Sequence, residues 1–341
     1  MKKRVLLIAG GGTLGGYTSP ELLKRGYAVD VIALNDCTSL NRNLTWIKQS
    51  VTDELLNELF KAHHYDAIVD FIHYTNPEAY KPRCNLLLAN TDQLVFLSSY
   101  RVYADEEHPI KETSPQLLNV IKDPYFLENE KYAVPKSHNE NTLRASGKKN
   151  WTIIRPLISF SHFRLDLVRA GAPELLFRSK AGKPILLPEK ARDLTSGVGW
   201  AGNIGKMIAA LIGNDKALGE AFTLGTGEQN TWGQVADMYT DLLGASFVWI
   251  PTEDYMEYAQ DQSYGERCAL LYDRLFDRKI DTSKLFATTG LSFSDFTKCY
   301  DGIVNELAFL SNNPSYVTVF DNKGFHARDA KMDEYLAKHK L

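Results

Sequence analysis

The sequence is poor in cysteine, in long apolar runs and in excess charge of either sign. Its four cysteines, Cys37, Cys84, Cys268 and Cys299, lie far apart and form no C-x-x-C pair. That excludes a disulfide framework and a cysteine metal site, and it is the usage expected of a reduced, cytoplasmic chain. No stretch approaches the ~20 apolar residues of a membrane helix, so no membrane partner is expected. Met1-Lys2-Lys3-Arg4 resembles the charged start of a signal peptide. The apolar run behind it is only about five residues long, so it is read as the lead into a strand. Lysine and arginine total 39 against 42 aspartate and glutamate, a net charge of −3. That leaves no electrostatic footprint for nucleic acid. His63 and His64 are adjacent, but no carboxylate or cysteine stands at ligand spacing from them, so no metal is expected. They suit the end of a helix, where the dipole favours a cation.

What is present begins at the N-terminus. The apolar run Val5-Leu6-Leu7-Ile8 ends in Ala9-Gly10-Gly11-Gly12-Thr13-Leu14-Gly15-Gly16. A helical pattern follows from about Pro20 and stops at Gly26, and a second apolar run spans Val29 to Leu34. This is a strand, a glycine turn, a helix and a strand. Such a turn brings backbone close to a pyrophosphate and aims helix N–H groups at it. Gly10, Gly12, Thr13, Leu14 and Gly15 are therefore the candidate pyrophosphate residues.

Further β-like runs are Leu44–Ile47, Asp66–Phe71, Gln93–Leu97, Trp151–Arg155 and Ala221–Leu224, with helical patterns at Asp53–His63 and Tyr132–Ser146. The alternation implies an α/β fold, a Rossmann-type doubly wound parallel sheet whose ligands bind at the carboxyl ends of the strands. Residues 1–157 form the dinucleotide-binding part in this reading. Residues 158–196 and 245–296 are two segments of a smaller substrate domain, 197–244 return to the sheet, and 297–341 are a C-terminal helical segment. Lys180 to Lys190 reads as a solvated loop, and His326 to Leu341 as a solvated helix or frayed tail. His73 reads as a satisfied polar residue at a strand end, and Trp232 and Trp249 as core.

The chemistry is carried by Ser99, Tyr132 and Lys136. Tyr132 and Lys136 are four residues apart and share a helix face. A phenol titrating near 10 is a poor base at neutral pH, and a neighbouring ammonium favours its phenolate. Ser99 can hydrogen-bond the same substrate oxygen, which couples proton transfer at an alcohol to hydride transfer at its carbon.

These residues carry a resemblance that covers most of the chain. In order they are the glycine turn, Ser99-x-x-Val102-Tyr103, Pro109-x-x-Glu112-x-x-Pro115, Tyr132-x-x-x-Lys136-x-x-x-Glu140 and Trp151-Thr152-Ile153-Ile154-Arg155-Pro156, then Gly219-Glu220-Ala221-Phe222-x-Leu224-Gly225 and Asp281-Thr282-Ser283-Lys284. The chain resembles an extended short-chain dehydrogenase/reductase of the NAD-dependent epimerase/dehydratase family. The resemblance implies Ser99, Tyr132 and Lys136 as the catalytic trio, with Lys136 also on the nicotinamide ribose. Cofactor contacts are expected from Asn35, Ser50, Val51, Phe71, Ile72, Pro156 and Leu157 as well. Tyr100, Arg101 and Arg192 are the candidate substrate residues, Arg192 as a phosphate ligand. A homodimer through helices beside the sheet, including the one carrying Tyr132, is also implied.

The sequence departs from the family pattern in places. The turn reads Ala9-x-x-Gly12-x-x-Gly15, so its first position is not glycine. The acidic residue expected at the ribose falls on Ala33. A 2′-phosphate is then not repelled and Arg42 could approach it, so NAD and NADP both remain open. Tyr100 and Arg101 stand where 4,6-dehydratases carry Asp and Glu, which disfavours a dehydratase. The expected function is NAD(P)-dependent epimerisation or reduction at a secondary alcohol or ketone of a nucleotide sugar or similar small polar metabolite. The alternative is a non-catalytic dinucleotide sensor or an RNA-binding relative.

Overall fold

Most of the strands are apolar at successive positions and leave no polar face. Val5 and Leu7 pack to one side of the first strand and Leu6 and Ile8 to the other. Such strands need helices on both sides. The computed structural model, which describes residues 2–37, 39–260 and 262–341, shows that arrangement. The elements that build it are β1 (Arg4–Ile8), α1 (Thr13–Lys24), β2 (Ala28–Ala33), β3 (Leu44–Lys48), α2 (Asp53–Ala62), β4 (Ala67–Asp70), α3 (Pro77–Ala89), β5 (Leu94–Leu97), α4 (Ala133–Arg144), β6 (Trp151–Pro156), α5 (Ala201–Leu211) and β7 (Glu220–Leu224). The seven strands form one sheet in the order β7-β6-β5-β4-β1-β2-β3, and every pairing is parallel. Ile8 registers with Ile32 on one side and Asp70 on the other. The chain reverses direction across the sheet between β1 and β4, the place where a crevice opens beyond the carboxyl ends.

Leu22 of α1 and Ile204, Met207 and Ile208 of α5 cover one face. Leu55 and Leu56 of α2 and Tyr80, Cys84 and Leu87 of α3 cover the other. The helix after the glycine turn starts at Thr13, seven residues before the position expected from the sequence, and Pro20 lies inside it. Glycines at 15 and 16 weaken the local helical signal, but packing overrides it. The helix lies so close to α5 that a Cβ on Gly205 would stand 2.6 Å from the Tyr17 carbonyl carbon.

A second core lies beyond the carboxyl ends. It gathers Phe160, Leu167, Leu175, Trp232, Tyr239 and Ile250 with residues nearer the C-terminus. Helix α6 (Trp232–Leu243) belongs to it through Trp232, Val235, Ala236 and Tyr239, although its residues were expected to return to the sheet. Two other readings are corrected here. Ile185–Pro188, inside the expected solvated loop, is a buried strand paired in parallel with Phe247–Ile250. The segment read as a solvated helix or frayed tail is helix α8 (Lys323–His339), which follows α7 (Cys299–Asn312); it is helical but not merely solvated, since it buries Phe325, Met332, Tyr335 and Leu336. Arg178, fully buried, pairs with Asp333 of α8 at 3.0 Å and also with Asp329. Among the described residues, no helix is long and apolar enough to cross a membrane.

Candidate active site

The glycine turn divides its work residue by residue. Ala9 adopts the left-handed conformation, with φ at 55°. Gly10 faces the sheet rather than the crevice. Its N–H donates to Ile32 O at 3.0 Å, and a Cβ there would meet Leu7 and Val31 at 2.8 and 2.9 Å. Gly15 lets the helix rest on the turn, since a Cβ on it would stand 2.1 Å from Gly10 O. Gly12 is the helix N-cap and offers no capping side chain, and the first turn carries no acid. The N–H groups opening α1 are therefore presented to an anion.

Two cavities flank this helix start. One, of about 380 Å³, is lined by Gly11, Gly12, Ala33, Asn35, Ser50, Val51 and Ile72. Residues from the ends of four strands, β1 to β4, thus meet in a slot suited to an adenosine. Gln49 also lines it, although it did not stand out in the sequence. No charged side chain lines it among the described residues. Phe71 packs instead against the sheet core beside it. Arg42 lies elsewhere. It precedes β3 and lines a cavity with Lys2, Lys3 and Asp66 at the amino ends of the strands, on the wrong edge of the sheet for a ribose phosphate.

The second cavity, of about 250 Å³, is lined by Thr13, Leu14, Ser99, Tyr100, Arg101, Tyr132, Pro156 and Leu157. Ser99 is 4 % exposed, and its hydroxyl accepts the Arg101 N–H at 3.2 Å. Tyr132 is the N-cap of α4, and its own N–H donates to the Glu130 carboxylate at 3.0 Å. The His73 ring lies 5.1 Å from the Tyr132 ring, with Nε2 2.8 Å from Lys131 O. Lys136 lies one turn into α4 and is 1 % exposed. Its ammonium donates to Leu97 O. Burial pulls its pKa down to about 8, against the opposing pull of Asp70 and Glu140. Asp70, at the end of β4, is itself pushed up to about 6 by burial, with the Ile72 N–H, the Tyr74 hydroxyl and Lys136 opposing.

Beneath the trio lies an ion pair that keeps α4 in register with the sheet. Arg155 donates through Nη2 and Nε to both Glu140 oxygens, at 2.6 and 2.8 Å. Ser98 Oγ donates to Glu140 at 2.5 Å. Burial would push the Glu140 carboxyl up, but Arg155, Arg144 and Ser98 together hold it down to about 2. The third position of Tyr132-x-x-x-Lys136-x-x-x-Glu140 is thus a structural anchor. Tyr100 is a buried wall residue whose hydroxyl is taken by Asp273.

Membership is decided by a match of residues 6–195, more than half the chain, to the model of the NAD-dependent epimerase/dehydratase family. The chain belongs to that family. An NAD-type dinucleotide is therefore the ligand to test against the glycine turn, and the uncapped helix start and uncharged slot fit one. The fold agrees with solved structures. An epimerase from Methanothermobacter thermautotrophicus is 16% identical with a TM-score of 0.68, covering 93% of this chain and 94% of that one. The enzyme WbmG of Bordetella bronchiseptica, solved with NAD, is 19% identical with a TM-score of 0.66 over 92% and 95% of the two chains. A UDP-glucuronic acid 4-epimerase from Bacillus cereus, solved with UDP-glucuronic acid and NAD, is 15% identical with a TM-score of 0.64 over 91% and 99%. No curated protein sequence matches significantly.

Within this family frame Arg192 is misplaced for a substrate ligand. It follows the short turn Glu189–Ala191, is exposed, and sits 6.0 Å from the Trp249 ring. Its carbonyl accepts the Gly233 N–H at 2.8 Å. Three arginines that drew no attention in the sequence, Arg164, Arg169 and Arg274, line the chambers instead. Their signal was faint because each comes from a segment without periodicity.

Proposed function

We propose that the protein is an NAD-dependent epimerase acting at a secondary alcohol of a nucleotide sugar. The observation that carries the reading is the convergence of Ser99, Tyr132, Thr13 and Leu14 on one cavity, with the Lys136 ammonium beneath it. Both this cavity and a larger one of about 590 Å³ reach Tyr132, so the two can share one elongated substrate.

Gly12, Thr13 and Leu14 would hold the pyrophosphate, and Asn35, Ser50, Val51 and Ile72 the adenosine. Lys136 would hold the second ribose. The adenosine slot offers no cation to a 2′-phosphate, which supports NAD over NADP. When bound, the nicotinamide supplies the acceptor and donor of hydride at the carbinol carbon. Tyr132 takes the proton from the substrate hydroxyl and returns it. Ser99 has its acceptor side engaged by the Arg101 N–H, so its own proton is free to point at the same oxygen. Tyr100 and Arg101, in place of an acid pair, leave no carboxylate next to Ser99 to drive elimination.

The test is to denature purified protein and identify the released nucleotide by mass spectrometry, then to assay Tyr132→Phe. NAD is expected in the released fraction. Turnover of nucleotide sugars should fall by about 10²- to 10⁴-fold in the variant while NAD is retained. NADP in the released fraction, or full activity without the phenol, overturns the reading.

A further inference from the structure

The wall of the chamber holding Ser99 and Tyr132 presents three arginines, Arg101, Arg164 and Arg274, and no carboxylate. Two are paired from behind. Arg164 pairs with the buried Asp166 at 2.5 Å. Arg274 pairs with Asp166 at 3.4 Å and with Asp273, and its Nε donates to Val168 O at 2.7 Å. Arg101 differs. Its Nε stands 3.3 Å from Asp273, out of hydrogen-bonding alignment, and is buried without a hydrogen-bond partner. Its Nη2 stands 3.7 Å from Glu130, whose other oxygen already accepts the N–H groups of Tyr132 and Val134. Asp273 is meanwhile shared with Arg274, Arg278 and the Tyr100 hydroxyl. The guanidinium is thus held in place by charge while its planar fork of donors lacks an acceptor.

Its position says where that acceptor must be. The Arg101 guanidinium carbon lies 4.5 Å from the centre of the Tyr132 ring. Its backbone N–H is bonded to the Ser99 hydroxyl at 3.2 Å, so Arg101 adjoins both groups that address the reacting oxygen. It also lines the larger chamber, where Arg164 and Arg169 are paired with Asp166 and Glu266. A guanidinium fork binds a carboxylate through two parallel hydrogen bonds.

We infer that Arg101 determines specificity by binding a carboxylate carried on the sugar carbon next to the one that reacts. The substrate class is then a nucleoside diphosphate hexuronate rather than a neutral hexose. This rests on the nucleotide-sugar reading above. A neutral hydroxymethyl group in the same place would leave the guanidinium, with its Nε buried, without an acceptor, and a site built around such a group discriminates against ligands that fail to satisfy it.

The experiment measures calorimetric affinities of NAD-loaded protein for UDP, UDP-glucose and UDP-glucuronate, in the native sequence and in Arg101→Met. The native protein should bind UDP-glucuronate about 10- to 100-fold more tightly than UDP-glucose, the range expected for hydrogen bonds to a charged group. In Arg101→Met the ratio should fall to about one, with UDP affinity unchanged. Arg101→Lys, which keeps the charge and loses the fork, should give an intermediate ratio. Equal affinities for the two sugars in the native protein overturn the inference without needing any variant. So does an Arg101→Met protein that weakens UDP as much as UDP-glucuronate, because the arginine then serves the diphosphate. Failure of all three ligands, UDP included, brings down the nucleotide-sugar reading and this inference with it.

Discussion

Lys136 shows what burial does to a catalytic-type side chain. The ammonium is enclosed, and its pKa falls from the ordinary 10.5 to about 8. Below pH 8 both the folded and the unfolded chain hold the proton, and the penalty for burying the charge is present in full. Between about 8 and 10.5 the folded chain releases the proton first, so this group makes stability rise with pH across that window. The whole effect is about 3 kcal/mol. Lys136→Met should abolish this rise, which urea denaturation at pH 7 and pH 10 would show as a shrinking difference between variant and native protein. The rate carries the opposite sign. In the proposed reaction the charged ammonium holds the second ribose, so turnover should decline above about pH 8 in the native protein as that charge is lost. In the variant, turnover should already be low at pH 7. The spacing of Tyr132, Lys136 and Glu140 was legible because one helix face sets it. Their division of labour was not, because Glu140 answers to Arg155, fifteen residues away on another element.

At the scale of elements, the turn between β1 and α1 rests on two backbone facts. Ala9 holds a left-handed φ of 55°, a conformation costing roughly 1 kcal/mol for a residue with a Cβ. Ala9→Gly should therefore raise stability by about 0.5–1 kcal/mol, less the extra freedom glycine gives the unfolded chain, as read from the denaturation midpoint. Gly15 admits no side chain, since its neighbour at 2.1 Å is the backbone oxygen of Gly10 and cannot rotate away. Gly15→Ala should destabilise by about 1–3 kcal/mol and weaken dinucleotide binding at least tenfold by lifting the helix start off the turn. Equilibrium dialysis with labelled NAD would measure the second effect. The seven strands were legible from their apolar runs alone. The start of α1 was not, because glycine propensity pointed to a loop while contact with α5 made a helix.

For the molecule as a whole, α8 ties the end of the chain to the smaller core. Arg178 is fully buried, and its side-chain counter-charges are Asp329 and Asp333, both on that helix. Replacing both, Asp329→Asn with Asp333→Asn, leaves a buried guanidinium without compensation and should destabilise by about 3 kcal/mol. Thermal unfolding followed by circular dichroism would show it. The segment reads as a solvated helix or frayed tail in sequence because charged residues are interspersed among its apolar ones throughout. Those charges are the partners of Arg178 and of Glu174, which Arg328 contacts at 2.6 Å. The expected solvated loop at Lys180 to Lys190 has the same explanation. Three apolar residues between charged flanks become a buried strand once Phe247–Ile250 lies beside them.

The sequence by itself determined the parallel sheet, the order of its motifs and the presence of a glycine turn before a helix. Those follow from local periodicity and from the limits on backbone conformation. Only the tertiary structure decided that Gly10 serves the sheet while Gly11 and Gly12 face the adenosine slot. It alone turned Arg192 outward, placed Arg42 on the far edge of the sheet, and left Arg101 with its donors open over Tyr132. Those outcomes depend on which distant segments pack together, which local periodicity does not encode.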